Sequence, residues 1–276
     1  MRLRLSLAVL AAVALAGCAA SGGAKSPAAS PAPSASAGGA VELTIFAAAS
    51  LKDAVGAAKE AYQGAHPGTT ITVSTDSSAA LAAQIEQGAP ADVFLSADTV
   101  NPRKLVDGGF ASGGPVVFAG NELAIIVPPG NPGKVHTPAD LARPGVSIIA
   151  AAEAVPITLY AQQLVANLAK EPGYPPGFAS AYAANVASKE DNVKAVVAKI
   201  ELGEGDAAIV YATDAAASTT VETVSVPAGA NVTATYEGLA VGTSRHPDPS
   251  RAFLSWLAGS PGRAILARFG FLPPPA

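Results

Sequence analysis

Hydrophobic positions along this chain follow two alternating patterns. Short runs rich in β-branched and aromatic residues are separated by alanine-rich stretches whose apolar positions recur at helical spacing. A first series predicts strand 43–46, helix 51–63, strand 70–74, helix 79–87, strand 92–95 and helix 100–106. Gly88 ends the second of these helices as a C′ glycine does, and Gly108-Gly109 stop the third. A fully apolar strand at 123–127 is closed by Pro128-Pro129-Gly130. The second series predicts strand 146–150, helices 157–169 and 193–202, and strand 207–211. Residues 233–241 alternate and then turn apolar, and two amphipathic helices, 249–257 and 261–269, end the chain. No sequence repeat recurs at a fixed period.

Strands alternating with helices in this way specify an α/β fold. Two such series, with the chain leaving the first and later returning to it, predict two lobes joined by crossover strands at 123–127 and 233–241. Lobe I then takes residues 41–122 and 236–276, and lobe II takes 123–235. A cleft between two lobes is a usual place for a small ligand.

The first forty residues change the picture. Arg2 and Arg4 precede an apolar run, 5–15, broken only by Ser6. That run is too short for the roughly 20 residues of a membrane-spanning helix, so 1–18 reads as a cleaved signal peptide. Its end, Leu15-Ala16-Gly17-Cys18, resembles a bacterial lipobox, in which the cysteine takes a diacylglyceryl group. The alternative is that Cys18 is an ordinary small residue of the apolar run. Residues 19–40 hold no large apolar side chain and predict a disordered tether between the lipid anchor and the body. The protein is then expected outside the cytoplasm, attached to the cell membrane through Cys18.

Charge excludes one class of partner. The first forty residues contain Arg2, Arg4 and Lys25 and no acid, so 14 of the 17 basic residues and all 21 acidic ones fall in the body, a formal charge of −7. Nucleic-acid binding needs a basic footprint. Any anion specificity here must come from local dipoles and not from a positive field. Once Cys18 is acylated no thiol is left for a disulfide, a thiolate metal site or a cysteine nucleophile.

Little in the chain points to catalysis. There is no Gly-x-Ser-x-Gly, no Walker glycine loop and no His-Glu-x-x-His. His66, His136 and His246 lie in turn-like stretches beside prolines, without the clustered partners that metal or acid–base chemistry requires. Residues 203–208, Gly-Glu-Gly-Asp-Ala-Ala, imitate a dinucleotide fingerprint but precede a strand, so no helix N-terminus receives a phosphate. What stands out is a set of helix starts. Ser50 and Ser78 each follow a strand, Pro156 suits a first helical turn, and Asp191-Asn192 precede a helix. Each taken alone is an ordinary cap. Together they offer unpaired N–H donors and partial positive charge, a ready anion site.

The residues at these places carry a resemblance. The runs 46–51 (Phe-Ala-Ala-Ala-Ser-Leu), 84–98 (through Gly88-Ala89-Pro90-Ala91-Asp92-Val93-Phe94) and 209–215 (Ile-Val-Tyr-Ala-Thr-Asp-Ala) resemble the periplasmic molybdate-binding protein family. So do Val155-Pro156 with Tyr160, Glu190-Asp191-Asn192-Val193, and the closing Arg268-Phe269-Gly270-Phe271. The match spans the body in the correct order. It implies a two-lobed α/β fold of the type II periplasmic-binding-protein kind, and a solute-binding protein, monomeric and non-catalytic, that delivers molybdate or tungstate to an ABC permease in the cytoplasmic membrane. It implies no cofactor and no bare metal cation.

By position, the resemblance assigns a hydroxyl and a backbone N–H to each of Ser50 and Ser78, a backbone N–H to Ile157 and to Val193, and the phenol of Tyr211 as donors to the oxyanion. Ile157, Val193 and Tyr211 are equally readable as core residues, and Asp92, Asp98 and Asp214 as caps or turn residues. One departure is Asp76, two residues before Ser78, where relatives tend to carry small neutral residues. An acid turned into the cleft would repel a dianion and favour a protonated phosphate. Sulfate, phosphate or an organic anion is therefore the alternative ligand. A serine hydrolase built on Ser50 or Ser78 is the alternative of another class, and it lacks a base near either serine.

Overall fold

The computed structural model describes residues 40–275. The expectations for the leader 1–18, the Cys18 anchor and the linker 19–40 lie, Ala40 apart, outside the described residues.

The chain opens with β1 (Val41–Ala48), a 3-10 turn at Ala49–Leu51 and α1 (Lys52–Ala65). β2 (Thr69–Asp76), α2 (Ser78–Glu86), β3 (Val93–Ser96) and α3 (Val100–Asp107) complete the first series. β1 is the middle of three parallel strands, and its side chains alternate between two cores. Leu43, Ile45 and Ala47 enter the larger one, while Phe46 faces a smaller one with Leu81, Ile85 and Phe94. Burial on both faces explains why β1 reads as an apolar run and not as an alternating strand. Because the strands are parallel, their C-terminal ends share one edge of the sheet. The segments that follow them, with Ser50 and Ser78, meet there.

β4 (Val116–Asn121) comes next, and a single residue, Glu122, separates it from β5 (Leu123–Val127). The second series holds β6 (Ile148–Ala151), α4 (Pro156–Leu168), α5 (Phe178–Ala184), β7 (Val186–Glu190), α6 (Val193–Glu201), β8 (Ala208–Tyr211), α7 (Ala212–Ala217) and β9 (Glu222–Val224). β10 (Ala234–Ala240), α8 (Pro247–Ala258) and α9 (Ser260–Arg268) bring the chain back. The first sheet has the order β2-β1-β3-β10-β4, with β10 antiparallel to both neighbours. The second is β8-β5-β9, all antiparallel. A parallel pair, β6-β7, joins it through a bridge between Ile148 and Ala207.

Two strands expected as crossovers each belong to one sheet: β5 pairs only in the second and β10 only in the first. The crossings are the Glu122 junction and the segment between β9 and β10. β4, which the pattern does not reveal, follows Gly113-Gly114-Pro115 and is buried only in its second half. α5 escapes for a similar reason. It starts behind Pro175-Pro176, with Gly177 at φ 78°, a left-handed conformation that glycine adopts without steric cost. The imitation fingerprint is a turn between α6 and β8, where Gly205 lies so close under Ile149 that no side chain would fit.

Candidate functional site

The five residues singled out as donors come from separate segments of the chain, and the fold brings all of them to one place. Ser50, Ser78, Ile157, Val193 and Tyr211 line a single cavity with about 210 Å³ of empty space, together with Ala48, Ala49, Ser77, Ala97, Val155, Pro156 and Asn192. None of these twelve residues is charged.

Three helices start at the cavity, and the local sequence explains each start. Ser77, not Ser78, caps α2: its Oγ accepts the Ala80 N–H at 3.2 Å. That releases Ser78, the first helical residue, whose Oγ accepts the Ala97 N–H at 3.0 Å. With a lone pair committed to Ala97, the Ser78 hydroxyl proton is available to the cavity. α4 has Val155 at its N-cap and Pro156 in its first turn. Ile157 follows, and its N–H belongs to the first four, which have no intrahelical acceptor. Asn192 caps α6 by accepting the Ala195 N–H at 3.1 Å, which leaves Val193 as the first helical residue with the same free donor. Three N-termini converging on one point give it partial positive charge without any cationic side chain.

Ser50 is different. It sits in the 3-10 turn before α1, buried and with no capping bond. Its Oγ is 3.0 Å from the Tyr236 hydroxyl, which in turn accepts from Asn121 Nδ2 at 3.3 Å. The same Asn121 amide donates to Thr213 Oγ1 at 2.8 Å. Either hydroxyl can donate in the Ser50–Tyr236 bond; with Tyr236 as the donor, the Ser50 proton is left for the cavity. Sequence reasoning missed this support. Tyr236 lies in an alternating strand, and nothing local distinguishes it from a packing tyrosine.

Tyr211 ends β8 fully buried, and its hydroxyl points to the Ala97 carbonyl at 3.4 Å. It stacks edge-on against Tyr236 at 5.6 Å and Tyr160 at 6.3 Å. Burial pushes the Tyr211 and Tyr236 phenols well above their ordinary range, with nearby tyrosines and acids adding to the effect. Tyr160 is pushed up to about 12 by burial in the same way. These phenols stay protonated at neutral pH and act as neutral donors.

The acids near the cavity are occupied elsewhere. Asp76 turns its carboxylate back onto the Ser77 N–H at 2.7 Å and toward Asn192 Nδ2 at 3.4 Å. It does not line the cavity. Asp98 is held by Ser96 Oγ at 2.7 Å and by the backbone and side chain of Asn101; burial keeps its carboxyl above the usual range. Asp92 bonds the Thr44 N–H at 2.8 Å and the Ser244 hydroxyl. The hydroxyl partners of Ser50 and Ser78 are Tyr236 and the Ala97 amide, neither of them a base. Among the described residues no cluster of histidine, cysteine and acid side chains could hold a metal ion. A larger hollow between α4 and α5 is lined mainly by apolar residues, with the charged Glu153 and Lys189 among them.

Residues 43–272 match the family model described as bacterial extracellular solute-binding protein. The molybdate-binding protein ModA of Mycobacterium tuberculosis H37Rv is 33% identical over 253 residues, covering 91% of this chain and 92% of its own. A putative ABC transporter substrate-binding lipoprotein of Bacillus subtilis, YvgL, is 30% identical over 233 residues, covering 84% and 86%. Among solved structures, the substrate-binding domain of a putative molybdenum ABC transporter from Clostridium difficile is 27% identical with a TM-score of 0.62, covering 84% of this chain and 98% of its own. The sheets, the converging helix starts and these likenesses agree: the chain belongs to the bacterial extracellular solute-binding protein family, in the two-lobed type II fold.

Proposed function

We propose that the protein captures molybdate, and tungstate nearly as well, outside the cytoplasm and hands it to the permease of an ABC importer. One observation carries this reading: residues from distant segments that can each donate a hydrogen bond line one small cavity whose lining holds no charged residue. Ser50 and Ser78 supply a hydroxyl and an N–H each, Ile157 and Val193 an N–H each, and Tyr211 its phenol. A tetrahedral dianion that carries no proton at neutral pH suits such a set. A protonated phosphate needs an acceptor, and the acid in question, Asp76, is bonded to Ser77 and Asn192 and does not line the cavity. The names of the M. tuberculosis and C. difficile relatives support the choice of molybdate.

Hydrogen bonds to a charged group contribute about 1.5–3 kcal/mol each, so the seven donors give a gross of roughly 10–20 kcal/mol. Ordering, desolvation and lobe closure are subtracted from this, which leaves an affinity between micromolar and nanomolar. The protein acts as a monomer without catalysis, and the lipid on Cys18 holds it at the membrane. The B. subtilis lipoprotein relative supports that last point.

The test is the melting temperature of the full chain in molybdate, tungstate, sulfate and phosphate. Ligand at a thousand times its dissociation constant adds about 4.1 kcal/mol of stability. A shift with molybdate and tungstate is expected. A shift confined to sulfate or phosphate overturns the ligand and keeps the site; no shift with any oxyanion overturns the site.

A further inference from the structure

Lys194 follows Val193 in the first turn of α6, and its ammonium meets two carboxylates. It is 3.2 Å from Oδ1 of Asp214 and 3.4 Å from Oδ2 of Asp53. The two acids differ in surroundings and in lobe. Asp214, in α7 beside the second sheet, is wholly buried, and neither of its oxygens has a hydrogen bond of good geometry among the described residues. Lys194 is the cation that compensates it. Asp53, one turn after Ser50 in α1, belongs to the first lobe, and its side chain is 54% exposed. Burial works against the Lys194 charge, but Asp214 and Asp53 outweigh it and hold the ammonium above its ordinary range.

The Lys194–Asp53 pair spans open space. One hollow, of about 400 Å³, lies beside it between Thr213 and Ala267–Phe271. Another, of about 270 Å³, lies toward Thr75 and Asn192. Both are lined by Asp53 and Lys194, so the ion pair stands between two hollows at this edge of the cleft. α6 itself abuts the turn that carries Ser50.

We propose that Lys194 is a positioning residue that latches the closed lobes: anchored on Asp214 in the second lobe, it reaches across the cleft to Asp53 and holds the Val193 N–H of α6 against the Ser50 turn. This rests on the oxyanion reading above. The latch differs from simple attraction of the anion by Lys194, because the two carboxylates leave this cluster negative as a whole. The two ideas therefore predict opposite signs for Asp53→Asn. Removing a nearby negative charge would tighten dianion binding, whereas removing a latch loosens it.

The experiment is calorimetric titration of the full chain with molybdate at low salt, with dissociation rates from stopped-flow fluorescence. If the wild type binds no oxyanion, the reading beneath this inference fails and the latch with it. With wild-type binding in hand, Asp53→Asn should raise the dissociation constant about two- to fivefold, as expected for an exposed ion pair. The change should lie mainly in the dissociation rate, because the pair exists only in the closed form. It should shrink at about 0.5 M NaCl, where the Debye length is a few ångströms, and Asp53→Glu should restore it. Lys194→Met alone strands the Asp214 carboxylate, so the companion variant is Lys194→Met with Asp214→Asn; adding Asp53→Asn to it should change nothing further. An unchanged or lower dissociation constant in Asp53→Asn overturns the latch and leaves the oxyanion site standing.

Discussion

Adjacent serines with different duties allow a sharp test of the site. Ser77 and Ser78 both line the cavity, so proximity alone would give them similar importance. The hydrogen bonds separate them. Ser77 Oγ is committed as acceptor to the Ala80 N–H within its own helix, and Ser77→Ala should cost about 1 kcal/mol of stability, the usual value for a lost N-cap. Ligand affinity should change less than about threefold, since the cap contributes to free and bound protein alike. Ser78 accepts from Ala97 N–H at 3.0 Å and keeps its proton for the ligand. Ser78→Ala therefore loses a donor to a charged group, about 1.5–3 kcal/mol, or roughly 10- to 150-fold in affinity. It also strands a buried N–H, for a further stability loss of about 1–3 kcal/mol. Molybdate titration by calorimetry reads the first effect, and urea unfolding without ligand reads the second. If Ser77→Ala loses affinity and Ser78→Ala keeps it, the assignment of cap and donor is wrong and the cavity is lined differently from this structure.

Val193→Pro removes a backbone donor while the helix survives, because proline is accepted at the first helical position and Asn192, at φ −157° and ψ 168°, already has the extended backbone a following proline requires. Molybdate affinity should fall about 10-fold or more, with circular dichroism unchanged; retained affinity would remove Val193 from the site. Asp214 gives a pH signature. Burial raises its carboxyl from an ordinary 3.8 to about 6 against the attraction of Lys194, so between those values the folded chain binds its proton more tightly than the unfolded chain does. Its contribution to stability is greatest below pH 4, declines as pH rises toward 6 by up to roughly 3 kcal/mol, and is flat above that. The stability of the wild type relative to Asp214→Asn, from urea unfolding at intervals from pH 3.5 to 7.5, should decline across that window; a rising or level difference refutes the assignment.

The sequence tells more about the site than about the framework around it. Ser50, Ser78 and the helix starts at Pro156 and Asp191-Asn192 stand out in the sequence because small caps and prolines mark such places, whereas Ile157, Val193 and Tyr211 enter only through the resemblance. The resemblance then joined them into one set, and the structure brings them to one cavity. What stayed hidden depends on contacts between distant parts of the chain. β4 and β7 are short, half-exposed strands whose pairing partners lie far off in sequence. Asn121 and Tyr236 are 115 positions apart, yet they bond each other beside Ser50. The identity of the α2 cap also escaped, since Ser77-Ser78 offers two equivalent candidates until the backbone chooses one.

An acidic body that captures a dianion is a physical tension, and the site resolves it by short-range means. A formal charge of −7 on the body repels a doubly charged anion at long range, though salt screens that repulsion within about 10 Å. Inside the cavity the field is set by nearby dipoles: three helix N-termini, the hydroxyls of Ser50 and Ser78, the latter accepting from the Ala97 N–H, and a buried phenol. Because every such group is neutral, removing water from the cavity does not strand a lone charge when the ligand leaves. A lysine or arginine in the same place would attract the anion more strongly, but the empty cavity would then bury an unpaired cation, and release to a permease would be slow. Under the proposed assignment, neutral donors on both lobes tie strong binding to the closed form, because opening the cleft would separate Ser50 and Ser78 from Ile157, Val193 and Tyr211. Affinity can then be switched by geometry alone, which a protein that must both hold its ligand and give it up requires.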